Sequence, residues 1–155
     1  KNWDALEKRE PKALEWAVGR SLRIKAAVVS RDEHDLSGHR ELLNFGHTLG
    51  HALETASGYR VRHGEAVAFG MRAAVLFSGT LKESALIARL LSRLPCPSLN
   101  GVRGRVLSRL LLRDKKARGG KPVFILLKGL ARPVRSDKVT EPQVLGALAA
   151  LGVRS

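Results

Sequence analysis

The sequence predicts a mainly α fold, a multi-helix, bundle-like domain with one small β-hairpin. Apolar residues recur at helical spacing along most of the chain, whereas only one pair of short β-rich runs occurs, near residues 122–135. No Gly-rich strand-to-helix turn of the nucleotide-binding α/β type is present. With 155 residues, 44% of them hydrophobic, the chain is long enough for a buried core, and we expect one domain over residues 1–155.

The amino-terminal part predicts one long helix followed by a polar loop. Pro11 suits a first helical turn, and we expect the helix to run to about Ser30. Residues 31–39 have no apolar period, so they predict a loop leading into the next helix, which ends near Ser57-Gly58. The stripe of the first helix is Leu14, Val18, Leu22, Ala26 and Val29.

The remaining elements follow from periodicity and from Pro, Gly and Thr signals. A helix that starts close to His63 is apolar almost all round over residues 66–77, which predicts a buried central helix. The other predicted elements are a helix over 82–94 ended by Pro95 and Pro97, a helix over 102–112 leading to a turn at 113–116, a hairpin of 122–127 and 131–135 with Pro133 confined to an edge, and a helix capped by Thr140-Glu141-Pro142 that reaches about Leu151.

Composition excludes several classes of protein. A formal charge of +14 favours anionic partners, but the basic residues are scattered and form no basic arm or zinc-finger spacing, so we expect no nucleic-acid partner. No stretch approaches the ~18 apolar residues of a membrane span, and no secretion-type segment is present, so we expect a cytoplasmic protein without membrane partners. Cys96 is the single cysteine, and we interpret it as inert.

Three of the five histidines lie within 17 residues, at positions 47, 51 and 63. Histidines four residues apart project from one helix face, so the spacing suits a metal site, although helical His pairs often simply hydrogen-bond. Gly46 and Gly50 flank the pair at a cost in helix stability, which suits close approach of a ligand or of another backbone. From spacing alone, a three-histidine metal site and a hydrogen-bonded pair both remain open.

The motifs around these histidines resemble those of a known family. Leu43–Ala52 reads LNFGHTLGHA, and His63–Met71 reads HGEAVAFGM. Together with Lys25–Val29, Asp32-Glu33 and the run Arg113-Asp114-Lys115-Lys116, they resemble the carboxy-terminal domain of 3-dehydroquinate synthase, over essentially the whole chain.

The resemblance implies a carbon–oxygen lyase of the shikimate pathway that converts DAHP into 3-dehydroquinate with loss of phosphate. It also implies a divalent zinc or cobalt ion, a transiently reduced NAD and a homodimer. In the family, NAD is bound mainly by an amino-terminal domain, which has no counterpart in this sequence. We therefore expect the chain to be the carboxy-terminal half of the enzyme and inactive alone.

The resemblance also implies roles for individual residues. His47 and His63 match the two histidine ligands of the metal, the third ligand being a glutamate with no counterpart here, and His51 matches a residue that contacts the substrate phosphate. Asp35 stands where the family has a glutamate that contacts ring hydroxyls, while His34 and His39 are interpreted as exposed loop residues. The residues matching contacts to substrate carboxylate, hydroxyls or phosphate are Lys25, Arg40, Asn44 and Lys116.

Two alternatives stand beside this interpretation. One is another sugar-phosphate cyclase, of the inosose or valiolone synthase type. The other is a basic binding module that retains the fold without the activity. Arg40, Asn44 and the basic run at 113–116 favour dehydroquinate synthase, because they suit a substrate with both a carboxylate and a phosphate.

Overall fold

A computed structural model describes residues 2–34, 36–117 and 122–154. Within these ranges the side chains are described at every residue except 112–117. The mainly helical class and the single hairpin are confirmed. The helices are α1 (Trp3–Glu7), α2 (Pro11–Val29), a 3-10 helix (His39–Asn44), α3 (His47–Ala56), α4 (His63–Phe77), α5 (Ser84–Ser92), α6 (Gly104–Ala117) and α7 (Glu141–Ala150), and the strands are β1 (Phe124–Leu127) and β2 (Pro133–Ser136).

The described chain divides into two compact units, residues 1–43 and 44–155. The first unit contains α1 and α2, and the α2 stripe predicted from periodicity is largely exposed, with Leu22 60% accessible. The prediction of one domain over 1–155 stays a prediction. No helix among the described residues is both long and apolar enough to span a bilayer.

The second unit is built around α4. This helix packs on α3, α5, α7 and β1, and its residues Ala66–Gly70, Ala73 and Ala74 are buried, as the sequence predicted for a central helix. The largest fully buried side chains come from four helices and fill the space between them. They are Leu49, Leu53, Phe69, Leu107 and Leu148.

Three glycines, Gly46, Gly50 and Gly70, bring α3 and α4 into direct backbone contact. A Cβ at Gly70 would overlap the carbonyl oxygen of Gly46, and one at Gly46 would lie 2.6 Å from the carbonyl oxygen of Val67. Gly46 has φ +84°, a left-handed conformation that L side chains rarely adopt, and ends the turn before α3. The glycines next to the histidines therefore serve the approach of another backbone, one of the two options their positions allowed.

Element ends agree with most of the predicted signals. Gly58, with φ +60°, follows α3, and the amide of Tyr59 donates to the carbonyl of Glu54 at 2.7 Å, closing the helix. At α7, the Thr140 amide donates to the side chain of Gln143 at 2.9 Å. Pro133 pairs with Leu127 in the two-stranded antiparallel sheet, where both strands are edges, as predicted.

Two predicted boundaries were wrong, and two short elements were not predicted. The turn expected at 113–116 is helical, because α6 continues to Ala117 through good helix formers with no Gly or Pro to stop it. Helix α5 is shorter than 82–94, and the Arg72 guanidinium donates to the carbonyls of Leu91 and Leu94 at its carboxyl end. Short helix α1 and the 3-10 helix were not predicted, since neither is long enough to show a period.

The glycine contact generates a stability prediction. Gly70→Ala should lower the free energy of unfolding by about 3 kcal/mol or more, because the new methyl group forces α3 and α4 apart. Urea unfolding followed by circular dichroism measures this.

Gly146→Ala is the matched control, since Gly146 is a helical glycine of α7 whose added Cβ meets no atom within 4 Å. It should stabilise the chain by ~0.5–1 kcal/mol through its higher helix propensity. Equal effects of the two substitutions would contradict the backbone contact.

Candidate metal and substrate site

The structure brings the three clustered histidines together. His47 and His51 lie one turn apart on α3, and His63 is the first residue of α4. The ring centroid of His47 lies 5.5 Å from that of His51 and 5.5 Å from that of His63. The His51 and His63 centroids are 6.0 Å apart. The rings therefore form a nearly equilateral triangle at the amino-terminal ends of the two helices that the glycines join.

His47 is half-buried at the inner corner of this triangle. Burial lowers its pKa below the ordinary 6.5; the nearby His51 and His63 lower it further, while a contact of Nδ1 with the Phe45 carbonyl at 3.4 Å opposes the shift. The neutral imidazole favoured in this way has a lone pair for a Lewis acid. His51 and His63 are exposed, so a ligand can reach the triangle.

A carboxylate completes the cluster. Glu54 Oε1 lies 3.2 Å from Nδ1 of His63, and single donor atoms of His51, Glu54 and His63 all lie within 4.8 Å of one another. Glu54 follows the Leu43–Ala52 motif by two residues, and sequence reasoning assigned it no role. The signal was available, because residues 47, 51 and 54 have i, i+4, i+7 spacing and so share one face of α3.

The donor set fits a divalent transition metal. Zinc takes imidazole nitrogens and carboxylate oxygens in tetrahedral sites, and catalytic zinc sites use three protein ligands with one position open. Within the described residues, donor atoms of His51, Glu54 and His63 lie close enough together for one ion, and the His47 ring lies 5.5 Å from the rings of both histidines.

The other predicted site residues are distributed over both units. Asn44 ends the 3-10 helix, is exposed, and precedes His47 by three residues. Lys25 is exposed on α2, and half-buried Arg40 donates from Nη1 to the Glu33 carbonyl at 3.3 Å within the first unit. Asp35 and the side chain of Lys116 lie outside the described residues.

The loop before Arg40 is organised by Asp32, another residue to which the sequence assigned no role. Its carboxylate, 7% exposed, accepts hydrogen bonds from the amides of Leu36, Ser37 and His39 and from the Ser37 hydroxyl at 2.8–3.2 Å. These bonds shape the turn into the 3-10 helix. The signal that sequence reasoning overlooked is an Asp at the end of a helix, followed by a polar Ser-Gly turn.

The two loop histidines differ. His34 is exposed, as predicted, whereas His39 is half-buried. The prediction for His39 was wrong because its amide is held by Asp32 at 3.0 Å and its backbone begins the 3-10 helix.

Comparison with known proteins gives the family of this site. Residues 1–117 match the family model described as 3-dehydroquinate synthase C-terminal. The chain belongs to this family. The match includes the histidine triangle, Glu54 and the Asp32 loop, so all three belong to the region that matches the family model.

Curated relatives are similar over nearly all of the chain. The 3-dehydroquinate synthase of Methylacidiphilum infernorum is 38% identical over 148 residues, covering 91% of this chain and 41% of the relative. That of Solibacter usitatus is 40% identical over 153 residues, covering 90% of this chain and 41% of the relative. The chain therefore spans about two fifths of the length of the curated relatives it matches.

A solved structure shares the fold of this dehydroquinate synthase family member. It is a 2-epi-5-epi-valiolone synthase from Streptomyces hygroscopicus subsp. jinggangensis 5008, solved with NAD+ and Zn2+ bound. Its TM-score is 0.70 at 24% sequence identity, with 92% of this chain and 41% of that chain covered. The expected dehydroquinate synthase-like fold is thereby confirmed.

The Asp32 loop generates a pH prediction. Hydrogen bonding from the Ser37 side chain, opposed by burial and reinforced by the amides of Ser37, His39 and Leu36, lowers the pKa of Asp32 from 3.8 to about 2. The folded chain therefore holds this proton less tightly than the unfolded chain, and the stabilisation is complete above pH 3.8 and lost as the pH falls to about 2.

The difference in unfolding midpoint between the wild type and Asp32→Asn should follow that window, being constant at neutral pH and disappearing near pH 2. Denaturant unfolding at a series of pH values measures it.

Ser37→Ala should raise the Asp32 pKa, as read by carbon NMR of the carboxyl group. An unchanged pKa in that variant would contradict the leading role of the Ser37 hydroxyl.

Proposed function

We propose that this chain is the metal- and substrate-binding part of a 3-dehydroquinate synthase, an enzyme that converts DAHP into 3-dehydroquinate with loss of phosphate. The observation that carries the proposal is the histidine triangle, with rings 5.5–6.0 Å apart, in a chain of the dehydroquinate synthase family. A role in the shikimate pathway, a cytoplasmic location and a homodimer belong to the same proposal. DAHP is the proposed small-molecule partner, and neither nucleic acid nor a membrane is a proposed partner.

His47 and His63 are the proposed metal ligands. They come from different helices, and their ring separation of 5.5 Å lets both face one point between them. The lowered pKa of His47, caused first by burial, supports this assignment, because only neutral imidazole offers a lone pair. When bound, zinc or cobalt supplies Lewis-acid polarisation of an oxygen on the reacting carbon.

His51 is the proposed contact to the substrate phosphate. It is exposed one helical turn beyond His47, and its imidazole nitrogen can donate to an anionic oxygen. In this assignment one face of α3 carries both a metal ligand, His47, and a phosphate contact, His51. Their spacing on the helix fixes the distance between the metal and the leaving group. Phosphate departs with the bonding electrons, and a hydrogen bond from His51 stabilises the charge that develops on its oxygen.

The remaining proposed substrate residues supply charge and hydrogen bonds. Arg40 uses one of the five N–H donors of its guanidinium in a hydrogen bond to the Glu33 carbonyl, which orients the guanidinium. The remaining donors can form a bidentate contact with a carboxylate. Asn44 pairs with hydroxyls, and Lys25 acts as a point charge. Lys116 and, toward the ring hydroxyls, Asp35 are retained as proposals from the resemblance alone.

NAD is not proposed to bind within this chain. The described strands are those of the hairpin, and neither leads into a Gly-rich helix start of the dinucleotide-binding type. We assign NAD to the region of the longer relatives that this chain does not match. On this proposal the chain alone turns over no substrate.

The valiolone synthase alternative has one supporting observation, the solved structure that shares the fold. Its identity of 24% is lower than the 38–40% of the relatives named 3-dehydroquinate synthase. The sequence also retains Arg40 and the basic run of α6, which suit a carboxylate and a phosphate on one substrate. DAHP carries both groups, so dehydroquinate synthase is the better assignment.

A chimera tests the activity. Replacing the matching region of the Solibacter usitatus relative with this chain should give an enzyme that releases phosphate from DAHP and requires both NAD and a divalent metal. The measurement is phosphate release, with the same chimera carrying His47→Ala as the inactive control. Turnover of sedoheptulose 7-phosphate but not DAHP would contradict the assignment, as would tight, salt-sensitive nucleic-acid binding without turnover.

Metal content separates the roles of the histidines. In the chimera, His47→Ala and His63→Ala should each weaken zinc binding by more than about 100-fold, since each removes a direct ligand. His51→Ala should retain zinc and raise KM for DAHP instead. Zinc analysis by mass spectrometry after dialysis checks this, and loss of zinc from the His51 variant would show that His51 is a ligand.

A further inference from the structure

The carboxylate of Glu54 is placed to hold the ring of His63. Glu54 lies near the carboxyl end of α3, and His63 opens α4, so the 3.2 Å contact between Oε1 and Nδ1 crosses from one helix to the next. The Glu54 side chain is 15% exposed, whereas that of His63 is 58% exposed. A mostly covered carboxylate therefore contacts a mostly open imidazole.

Helix packing prepares this contact. Glu54 is flanked on α3 by buried Leu53, and α3 is held against α4 by the glycine contact, so the carboxylate has a defined position. Its backbone carbonyl also accepts from Tyr59 at 2.7 Å, where the chain turns toward α4. The side chain of His63 is more open, because it stands at the first position of its helix and is exposed apart from its contacts with Glu54 and the rings of His47 and His51.

A hydrogen bond at Nδ1 determines what the other ring nitrogen can do. Glu54 as a carboxylate only accepts, so a neutral His63 that bonds to it carries its proton on Nδ1. The lone pair is then on Nε2, which is free to bind a metal. Metal-binding histidines regularly donate their second ring nitrogen to a carboxylate, which fixes the tautomer and the ring orientation.

We propose that Glu54 is a positioning residue, which holds His63 in the Nδ1–H tautomer and presents Nε2 of that ring to the metal. The inference rests on the proposed function, since it takes His63 as a metal ligand. It assigns a task to a carboxylate that the metal and substrate roles above leave unused. It also explains how an exposed imidazole at a helix start keeps one orientation.

The competing role for Glu54 is that of a direct ligand. Donor atoms of His51, Glu54 and His63 lie within 4.8 Å, which is compact enough for one ion to draw them together. The hydrogen-bonding distance to Nδ1 favours the positioning role, because a carboxylate already paired with that ring is engaged outside the metal. Substitution by Gln distinguishes the two, since an amide oxygen still accepts from Nδ1–H but is a poor ligand for zinc.

The first measurement needs no metal and no substrate. Nitrogen NMR of the metal-free chain at pH ~8.5, well above the ordinary imidazole pKa, reads the tautomer of His63 directly. The wild type and Glu54→Gln should show mainly Nδ1–H, and Glu54→Ala should shift toward Nε2–H. Glu65→Gln is the matched control, because Glu65 lies in the same first turn of α4 and no described hydrogen bond joins it to His63.

The second measurement is zinc affinity, determined by competition with a chelator. It is made on the chimera with the same four sequences, namely the wild type and the three variants. Glu54→Ala should bind zinc about 10–100-fold more weakly, Glu54→Gln should recover most of the loss, and Glu65→Gln should resemble the wild type. Amide NMR spectra confirm that each variant is folded. A variant that loses the fold is replaced by Glu54→Asp, whose shorter carboxylate should give an intermediate tautomer ratio.

Three outcomes decide between the possibilities. The same His63 tautomer in the wild type and in Glu54→Ala would overturn the inference. So would a loss of zinc in Glu54→Gln as large as in Glu54→Ala, because it would make Glu54 a ligand. If Glu54→Ala shifts the His63 tautomer but the wild-type chimera binds no zinc, the proposed function is contradicted, while the holding of His63 by Glu54 stands.

Discussion

The site depends on the contact between the backbones of α3 and α4. Gly46 and Gly70 meet with no side chain between them, and Gly50 lies against the backbone of Ala66 at a distance that leaves a Cβ only 3.2 Å. Gly46 and Gly50 each precede a histidine of α3, and their backbone partners on α4 begin at Ala66, one turn after His63. The glycine contact therefore holds the histidines of the two helices close together, with the His47 and His63 ring centroids 5.5 Å apart.

The rest of the second unit supports this pair of helices. α4 is covered by α3, α5, α7 and β1, so its residues Ala66–Gly70, Ala73 and Ala74 are removed from water and anchor it in place. The Thr48 hydroxyl donates to the Val123 carbonyl at 2.7 Å, which ties α3 to the chain just before the hairpin. A rigid frame of this kind suits chemistry in which a metal and a phosphate must be held at a fixed separation.

Charge is arranged on a finer scale than the net value of +14 suggests. Two carboxylates, Asp32 and Glu54, each contact specific neighbouring groups. Asp32 organises backbone amides ahead of Arg40, and Glu54 contacts an imidazole. Both act by fixing the geometry of a neighbour, which is a role that a count of charges does not reveal.

The sequence by itself determined the helical class, the hairpin, most helix starts and the region of the histidines. These features follow from local causes: apolar periodicity, a Pro in a first turn, Gly58 after α3, and the spacing of two histidines within one helix. The motifs also determined the family, because they hold many specific residues together. The continuation of α6 through 113–116 shows the limit, since polar residues without a breaker are as compatible with a helix as with a turn.

Only the tertiary structure decided that His63 joins the pair on α3, that the flanking glycines serve backbone contact, and that Glu54 bonds to His63. Each of these facts links residues on different helices. Periodicity records which residues share a face of one helix, but the depth and angle at which two helices meet depend on side-chain volume at the crossing. At Gly46 and Gly70 that volume is absent, so the two helices approach until their backbones touch.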